Sequence, residues 1–561
     1  MINNTTKQAS QDAIEWAITH GMVIKATAYS ASHTAFSFTP TPISRERFHN
    51  LVASVNLLGK LVHYASEDHQ FLSQAIAPVT SGEPFFKALL EMHNAIYDPS
   101  NADNCCNRGI SHRGDSYLDV KNIDTKMNDS NQSDAKRLPL LIMRSDFMDD
   151  TALGPKLIEF NGIAAGMGPF GQRVHELHQY LQQQWPEEFK QWSSQQETEL
   201  VANQAIERLS QGIANATFKI KNEFADSFSS KAINNSATTY SENNPPVFLM
   251  VVQADEDNVF DQHLLEGALQ AKGIRTVRRT FRELHNKLST GANHRLLLEG
   301  VGPIDTVYLR AGYQYSDYHA NDIISRVCCE ALMQTRIFIE RHRVAVNATV
   351  SQQLATSKRV QMLLSSMEPD ALTRFGLTLD EAKTVKGLLG EMRAVTKGSA
   401  ASITQTGSEQ WVLKNQGEGG GHCIFGDDIL SKLAELKPCE YQAWSLMRRL
   451  HPTPRPIPAL TVRKGELLQV DDLISEIGMF TVHIDGEAAI DVKKIGVKQL
   501  DVQGLLKQNI DNKEIDIKDI NVQATDKKAY AGYLIRSKSA RTTEGGVHSG
   551  MGVLDSLIFG D

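Results

Sequence analysis

Apolar residues recur every three or four positions through "RFHNLVASVNLLGKLVHYAS" (47–66) and "PFFKALLEMHNAIY" (84–97). That is the period that lines one face of an α-helix, so residues 10–97 read mostly as helices. From 98 to 137 the chain turns to Asn, Asp, Ser and Gly, the composition of a long loop or partly disordered insertion. "LPLLIMRSDFMDD" and "PKLIEFNGIAAGMG" then read as two strands running out into polar residues, followed by helix from about 171 to 215. A second polar insertion, about 221–244, ends at Pro245-Pro246. Beyond it "PVFLMVVQADEDNVFDQHLLEGALQAKGIRTVRRTF" reads as strand, loop, helix, strand, and "IDTVYLRAGY" as a further strand. Such alternation predicts a parallel sheet with functional groups at the strands' carboxyl ends. The last third is richer in strands, in "WVLKNQ", "ALTVRKGELLQVDDLISEIGMFTVHI" and "YAGYLIRSK", interrupted by an Asp/Lys-rich excursion at 484–527. No internal repeat stands out.

Composition narrows the classes. At 561 residues the chain exceeds a single core and predicts about three or four domain-sized units. With 41% hydrophobic and 22% charged residues it reads as an ordinary soluble protein. A net charge of −8 and no long basic run argue against nucleic-acid binding, so any anionic ligand must be held by individually placed lysines and arginines. Six cysteines, four of them in the neighbouring pairs Cys105-Cys106 and Cys328-Cys329, form no C-x-x-C motif and read as reduced thiols. The N-terminus lacks the apolar core of a signal peptide, and runs such as VFLMVV (247–252) are too short to span a bilayer. A cytoplasmic location is expected.

Four stretches carry candidate chemistry. In "WVLKNQGEGGGHCIFG" (411–426) Lys414 precedes Glu418 and the glycines Gly419, Gly420 and Gly421. A glycine loop can fold over phosphates while a lysine and a metal-holding carboxylate flank them, although the order is not that of a Walker loop and a plain surface loop fits equally. In "IEFNG" Glu159 and Asn161 point to one face of a strand and Phe160 to the other; two oxygen ligands at that spacing suit Mg²⁺, or simply face solvent. Glu476 in "SEIG" sits near a strand end. Arg536 and Lys538 in "LIRSKSARTTEGGVHSGMGVLD" share a strand face beside a second glycine-rich loop, an arrangement for anions or for an ordinary basic edge. Arg144 in "MRSD" and Arg310 in "LRAGY" stand where strands run out.

In combination, the order of "MRSDFM", "IEFNGIAAGMG", "EDNVFDQ", "YLRAGY", "ATSKRVQ", "VLKNQGEGGG", "SEIGMF" and "LIRSKS…EGGVHSGMGVLD" resembles the eukaryotic-type glutathione synthetase family of ATP-grasp ligases from about residue 10 to the C-terminus. The resemblance implies an α+β ATP-grasp fold with an N-terminal helical region and an inserted α/β, parallel-sheet substrate-binding domain. The body would comprise 1–245 and 346–561, and the inserted domain 246–345. The stretches 98–137, 221–244 and 484–527 would be additions to the family's frame. It implies ligation of γ-glutamylcysteine to glycine with ATP and Mg²⁺ through an acyl phosphate, and a homodimer.

By the same resemblance Glu159, Asn161 and Glu418 would hold the metal, Lys358 and Lys414 would meet the phosphates, and Gly419, Gly420 and Gly421 would form a lid. The run Met447, Arg448, Arg449 and Leu450 would flank the adenine, with Glu476 near the ribose and Phe425, Lys538 and Glu544 completing the nucleotide site. Arg144, Ile163, Ala164, Ala165, Gly166, Glu256, Asp257, Asn258, Gln262, Arg310, Tyr313 and Arg536 would receive the dipeptide, and Val547 and His548 would flank the acceptor. Arg144, Lys414, Arg536, Gly419 and Gly420 would act on the reacting groups. The chain departs from the family's pattern at the serine-free turn "IAAGMG", at His422, Cys423 and Phe425, at Arg448, and at "GGVHSG". A sister ligase using β-alanine or serine, or an inactive nucleotide-binding regulator, are the alternative readings. Glu159→Gln or Glu418→Gln is expected to lower kcat about a hundredfold, roughly 3 kcal/mol, with the fold intact by circular dichroism; turnover within about twofold of wild type for both excludes them as metal ligands.

Overall fold

The computed structural model describes residues 2–97, 137–193, 199–229, 244–324, 327–417, 423–455, 457–491, 527–542, 546–547 and 552–560. The expected N-terminal helices are present as Arg45–Glu67, His69–Ile76 and Pro84–Tyr97. Ser44 caps the first by accepting from the Arg47 amide, and Asp68 caps the second by accepting from Phe71 at 2.9 Å. Helix does not fill the whole stretch, however. After Asn4–Thr19 come a hairpin, Val23–Thr27 with Ser30–His33, and the short strands Phe36–Ser37 and Thr41–Ile43. Residues 23–43 are dense in Ser and Thr and carry Pro40 and Pro42, which oppose helix, and Phe36 pairs with Val462 and Leu554 far along the chain.

One 13-stranded sheet runs through the molecule. Its antiparallel part contains Leu138–Asp150, flanked by Gly154–Asn161 on one course and Leu473–Ile484 on the other, with Tyr530–Ser539 beyond. The parallel strands Ala345–Asn347, Thr306–Leu309, Val247–Val251 and Arg275–Arg279 extend the same sheet, because Ala345 pairs with Leu138. Every residue of Val247–Val251 is buried, as expected of a parallel strand covered on both faces. A separate four-stranded antiparallel sheet joins Met392–Ala394, Ser445–Arg448, Trp411–Lys414 and Cys423–Phe425. Its own small core gathers Val395, Ile403, Trp411, Leu413, Ile429 and Leu433.

The second polar insertion begins as helix: Ala205–Ser229 carries its apolar period through Ile213, Ala216 and Ile220 to Phe224, all buried. The third begins with the short strands Glu487–Ala488 and Ile490–Asp491. The bulk of the three insertions, 98–136, 230–243 and 492–526, lies outside the described residues. Among the described residues no helix is long and apolar enough to cross a membrane.

The helix Gly168–Gln184 packs on the sheet through a close backbone approach. A Cβ on Gly171 would lie 2.3 Å from the Tyr533 carbonyl oxygen, and backbone cannot swing aside as a side chain can. Gly171→Ala is therefore expected to destabilise the protein by about 1–3 kcal/mol, the usual cost of overpacking, read as a lower Tm; an unchanged Tm overturns this account of the contact.

Candidate active site

A cavity of about 580 Å³ opens between the two sheets, at the carboxyl ends of the parallel strands. Strand register brings its charges together. Arg144 stands opposite Asn161 and Asp146 opposite Glu159, while Glu476 stands opposite Arg536 on the neighbouring pair. Gly478 faces Asp146 across the third pairing, where a Cβ would come within 2.8 Å of both Asp146 Oδ1 and Arg144 Cδ.

Asp146 is fully buried and anchors the cluster. It accepts from Arg144 Nε at 2.6 Å and Nη2 at 2.8 Å, from Arg536 Nη2 at 2.8 Å, and from Asn161 Nδ2 at 2.9 Å. Arg536 also pairs with Glu476 and stands 3.8 Å from Glu159. Lys358 reaches Glu159 at 3.0 Å, and Lys414 donates to the Ile158 carbonyl at 3.2 Å. Burial opposes ionisation of Glu159, but Lys358, Lys414, Arg536 and Arg144 outweigh it and hold the carboxyl well below its usual range. Burial pushes the Glu476 carboxyl up; Arg536 offsets part of that, while Asp146 and Glu159 add to it. The two acids thus part company, with Glu159 the firmly ionised one.

Carboxylate oxygens of Asp146, Glu159 and Glu476 all lie within 4.8 Å of one another. Asp146 is already engaged by its donors. Asn161 gives its amide nitrogen to Asp146, which leaves the amide oxygen as a ligand beside the Glu159 carboxylate. Oxygen donors of this kind fit a hard divalent cation. Glu418 and Gly419, Gly420 and Gly421, together with His422, Glu544 and His548, lie outside the described residues.

On the parallel-strand side, Arg310 is buried and donates to the Ala164 carbonyl at 3.0 Å. The turn at 163–168 passes so close to it that a Cβ on Gly166 would sit 2.5 Å from both terminal guanidinium nitrogens. Ile163, Ala165, Asp257 and Tyr313 also line this end. Glu256 accepts from the Asn258 amide at 3.2 Å and from Gln262 Nε2 at 2.7 Å. Gln262 is buried behind Glu256 and does not line the cavity. Arg310 Nε and Asn258 Oδ1 are buried without a hydrogen-bond partner among the described residues. At the opposite end lie Phe425, Met447, Arg448, Arg449 and Leu450, with the Arg449 guanidinium 5.6 Å from the centre of the Phe425 ring. Lys538 and Val547 close a third side.

Two groups escaped the sequence reading. Asp146 was signalled by alternation, since it lies two residues beyond Arg144 on one strand face. The apolar wall of Val412, Ile474 and Met148 had no local signal, because the three come from different strands. Glu476, expected beside the ribose, lies within the charge cluster.

Charges of both signs held this close, with room beside them for a nucleotide, serve an ATP-dependent ligase, and that is the class of this chain's relatives. The chain belongs to the eukaryotic glutathione synthase family: the family described as "Eukaryotic glutathione synthase, ATP binding domain" matches residues 3–129 and 113–559. Glutathione synthetase of Homo sapiens is 24% identical to it over 98% of this chain and 96% of its own length. The chloroplastic glutathione synthetase of Solanum lycopersicum is 24% identical over 99% of this chain and 84% of its own, and the glutathione synthetase large chain of Schizosaccharomyces pombe 24% over 98% and 97%. A solved structure of a glutathione synthetase-like effector from Globodera pallida shares the fold, with a TM-score of 0.63 at 16% identity across 100% of this chain and 98% of that one.

Because the Glu159 carboxyl is held below its ordinary value of 4.5, its ion pairs stabilise the fold fully above that pH and lose their effect as the pH falls through the lowered value. The difference in Tm between wild type and Glu159→Gln is expected to be flat between about pH 6 and 8 and to change only below about 4.5. A difference that already changes near neutral pH overturns this assignment.

Proposed function

We propose that this chain is a glutathione synthetase, an ATP-grasp ligase joining γ-glutamylcysteine to glycine with release of ADP and phosphate. The observation that carries the reading is the convergence of Glu159, Asn161, Lys358, Lys414, Arg144 and Arg536 in one cavity between two sheets. A carboxylate oxygen is a poor leaving group, so the dipeptide's carboxylate first attacks the γ-phosphorus of ATP, and ADP departs. The glycine amine then attacks the acyl phosphate carbon, and phosphate leaves. Positioning and charge neutralisation carry such a reaction.

Each group has a place in this scheme. Lys358 and Lys414 neutralise phosphate oxygens. Arg144 and Arg536 stabilise charge on the transferred group, and Asp146 keeps both guanidiniums aimed. Glu159, Asn161 and Glu418 hold Mg²⁺, which draws charge from the phosphates when bound. Glu256 and the Asn258 amide oxygen suit the γ-glutamyl amine, and Arg310 its carboxylate. Gly419, Gly420 and Gly421 act as the lid that keeps water from the acyl phosphate, and the run 447–450 flanks the base. The enzyme works as a homodimer in the cytoplasm. Val547 at the third wall, within the unusual "GGVHSG" stretch, motivates a second reading in which the acceptor is serine or β-alanine.

The test is ADP release by the purified chain with Mg-ATP, γ-glutamylcysteine and a panel of amines. Glycine-stimulated ADP release with tripeptide formed in equal amount is expected. Preference for serine or β-alanine selects the second reading, and no stimulation by any amine rejects ligase activity.

A further inference from the structure

Away from the cavity, two neighbouring cysteines face each other. Cys328 is exposed and Cys329 buried, yet their sulfurs lie only 2.9 Å apart. Neighbouring side chains in extended chain point to opposite faces. Here Cys329 takes a left-handed conformation, φ 72° and ψ −12°, immediately before the helix Glu330–Glu340, and this turns the two thiols to one side. An L-residue other than Asn, Asp or Gly rarely holds such angles. Both residues line an open cavity of about 210 Å³ with Tyr318, His319, Ile323 and Ile324, room for a small thiol beside the exposed Cys328.

We propose that Cys328 and Cys329 form a reversible redox site that a low-molecular-weight disulfide converts to a vicinal disulfide. The Cys328 thiolate attacks one sulfur of the small disulfide, and the first small thiolate leaves and takes up the proton that Cys328 lost. The Cys329 thiolate then attacks Cys328 Sγ, and the second small thiolate leaves and takes up the proton from Cys329. Two protein thiols and one small disulfide give one protein disulfide and two small thiols, with two electrons passing to the small molecule.

The order of attack follows from exposure. Burial, with the adjoining Cys328 adding to it, pushes the Cys329 thiol up to about 12, so Cys328 attacks first and its capping removes one of the two hindrances to Cys329. A bond between sequence neighbours ties Cα atoms about 3.8 Å apart, closer than the roughly 4.4–6.8 Å of ordinary disulfides. Such a bond is strained and readily reduced, as a regulatory one must be. The pair is also linked, through one turn, to Tyr313 at the wall of the larger cavity. Cys329 donates to the Tyr315 carbonyl at 3.8 Å, and Asp317 of the same turn accepts from the Gly312 and Tyr313 amides. Oxidation removes a donor from the turn that presents Tyr313. Any consequence for turnover rests on the ligase reading above, whereas the test below does not.

The full chain, reduced and then incubated with glutathione disulfide as the probe, is alkylated, digested and read by mass spectrometry. The peptide carrying Cys328 and Cys329 is expected to lose two hydrogens, reversibly with dithiothreitol, and it maps apart from the Cys105-Cys106 peptide. Cys329→Ser should stop at a stable adduct on Cys328, and Cys328→Ser should take no adduct at the site. Wild-type protein with both residues alkylated, or halted at the Cys328 adduct, overturns the proposal, and neither result depends on how the variants fold.

Discussion

The structure depends on how one buried carboxylate, Asp146, holds two guanidiniums side by side. Arg144 and Arg536 would repel each other if left side by side, and burying any of the three ions alone costs several kcal/mol. Shared between both arginines and the Asn161 amide, Asp146 makes the cluster affordable and fixes its geometry at once. It also engages the amide nitrogen of Asn161 and leaves the amide oxygen facing the other way. Removing the partner of a buried ion pair is far costlier than never having built it. The surroundings follow suit: Gly478 lacks the side chain that would strike Asp146 and Arg144.

Register turns that local constraint into a site. Leu138–Asp150, Gly154–Asn161, Leu473–Ile484 and Tyr530–Ser539 align Arg144, Asp146, Glu159, Glu476 and Arg536 on one face, since residues two apart share a side. A slip of one residue in any pairing would bury the wrong set. The bulge between Asp146 and Phe147 spares the pairing of Asp146 with Glu159, and Phe147 then pairs with Leu157. Because the parallel strands continue the same sheet, Arg310 and Tyr313 follow Thr306–Leu309 toward the same cavity.

What was legible in the sequence is what local pattern encodes. Apolar periods marked the long helices, and alternation put Glu159 and Asn161 on one face with Phe160, now fully buried, on the other. The strands Phe36–Ser37 and Thr41–Ile43 escaped because their partners lie hundreds of residues away. The apolar wall of Val412, Ile474 and Met148 is likewise a product of tertiary approach. The charge state of Glu476 was unreadable for the same reason: it is set by Arg536 across a strand pair and by burial. The lid glycines remain a reading from sequence alone.

One pairing has a consequence for synthesis. Phe36 lies beside Leu554, and Thr41–Ile43 pairs with Leu557–Phe559, so strands from near residue 40 wait for partners more than five hundred residues later. At ribosomal speeds that interval lasts on the order of half a minute to two minutes. Until Ala459–Arg463 emerges to pair with them on one side, Phe36 and Phe38, fully buried in the finished protein, have no sheet to enter, and the other side waits for Leu554. The nascent chain therefore carries an open seam until its last strands emerge, and its dependence on chaperones should be governed by elongation rate rather than by the stability of the completed fold.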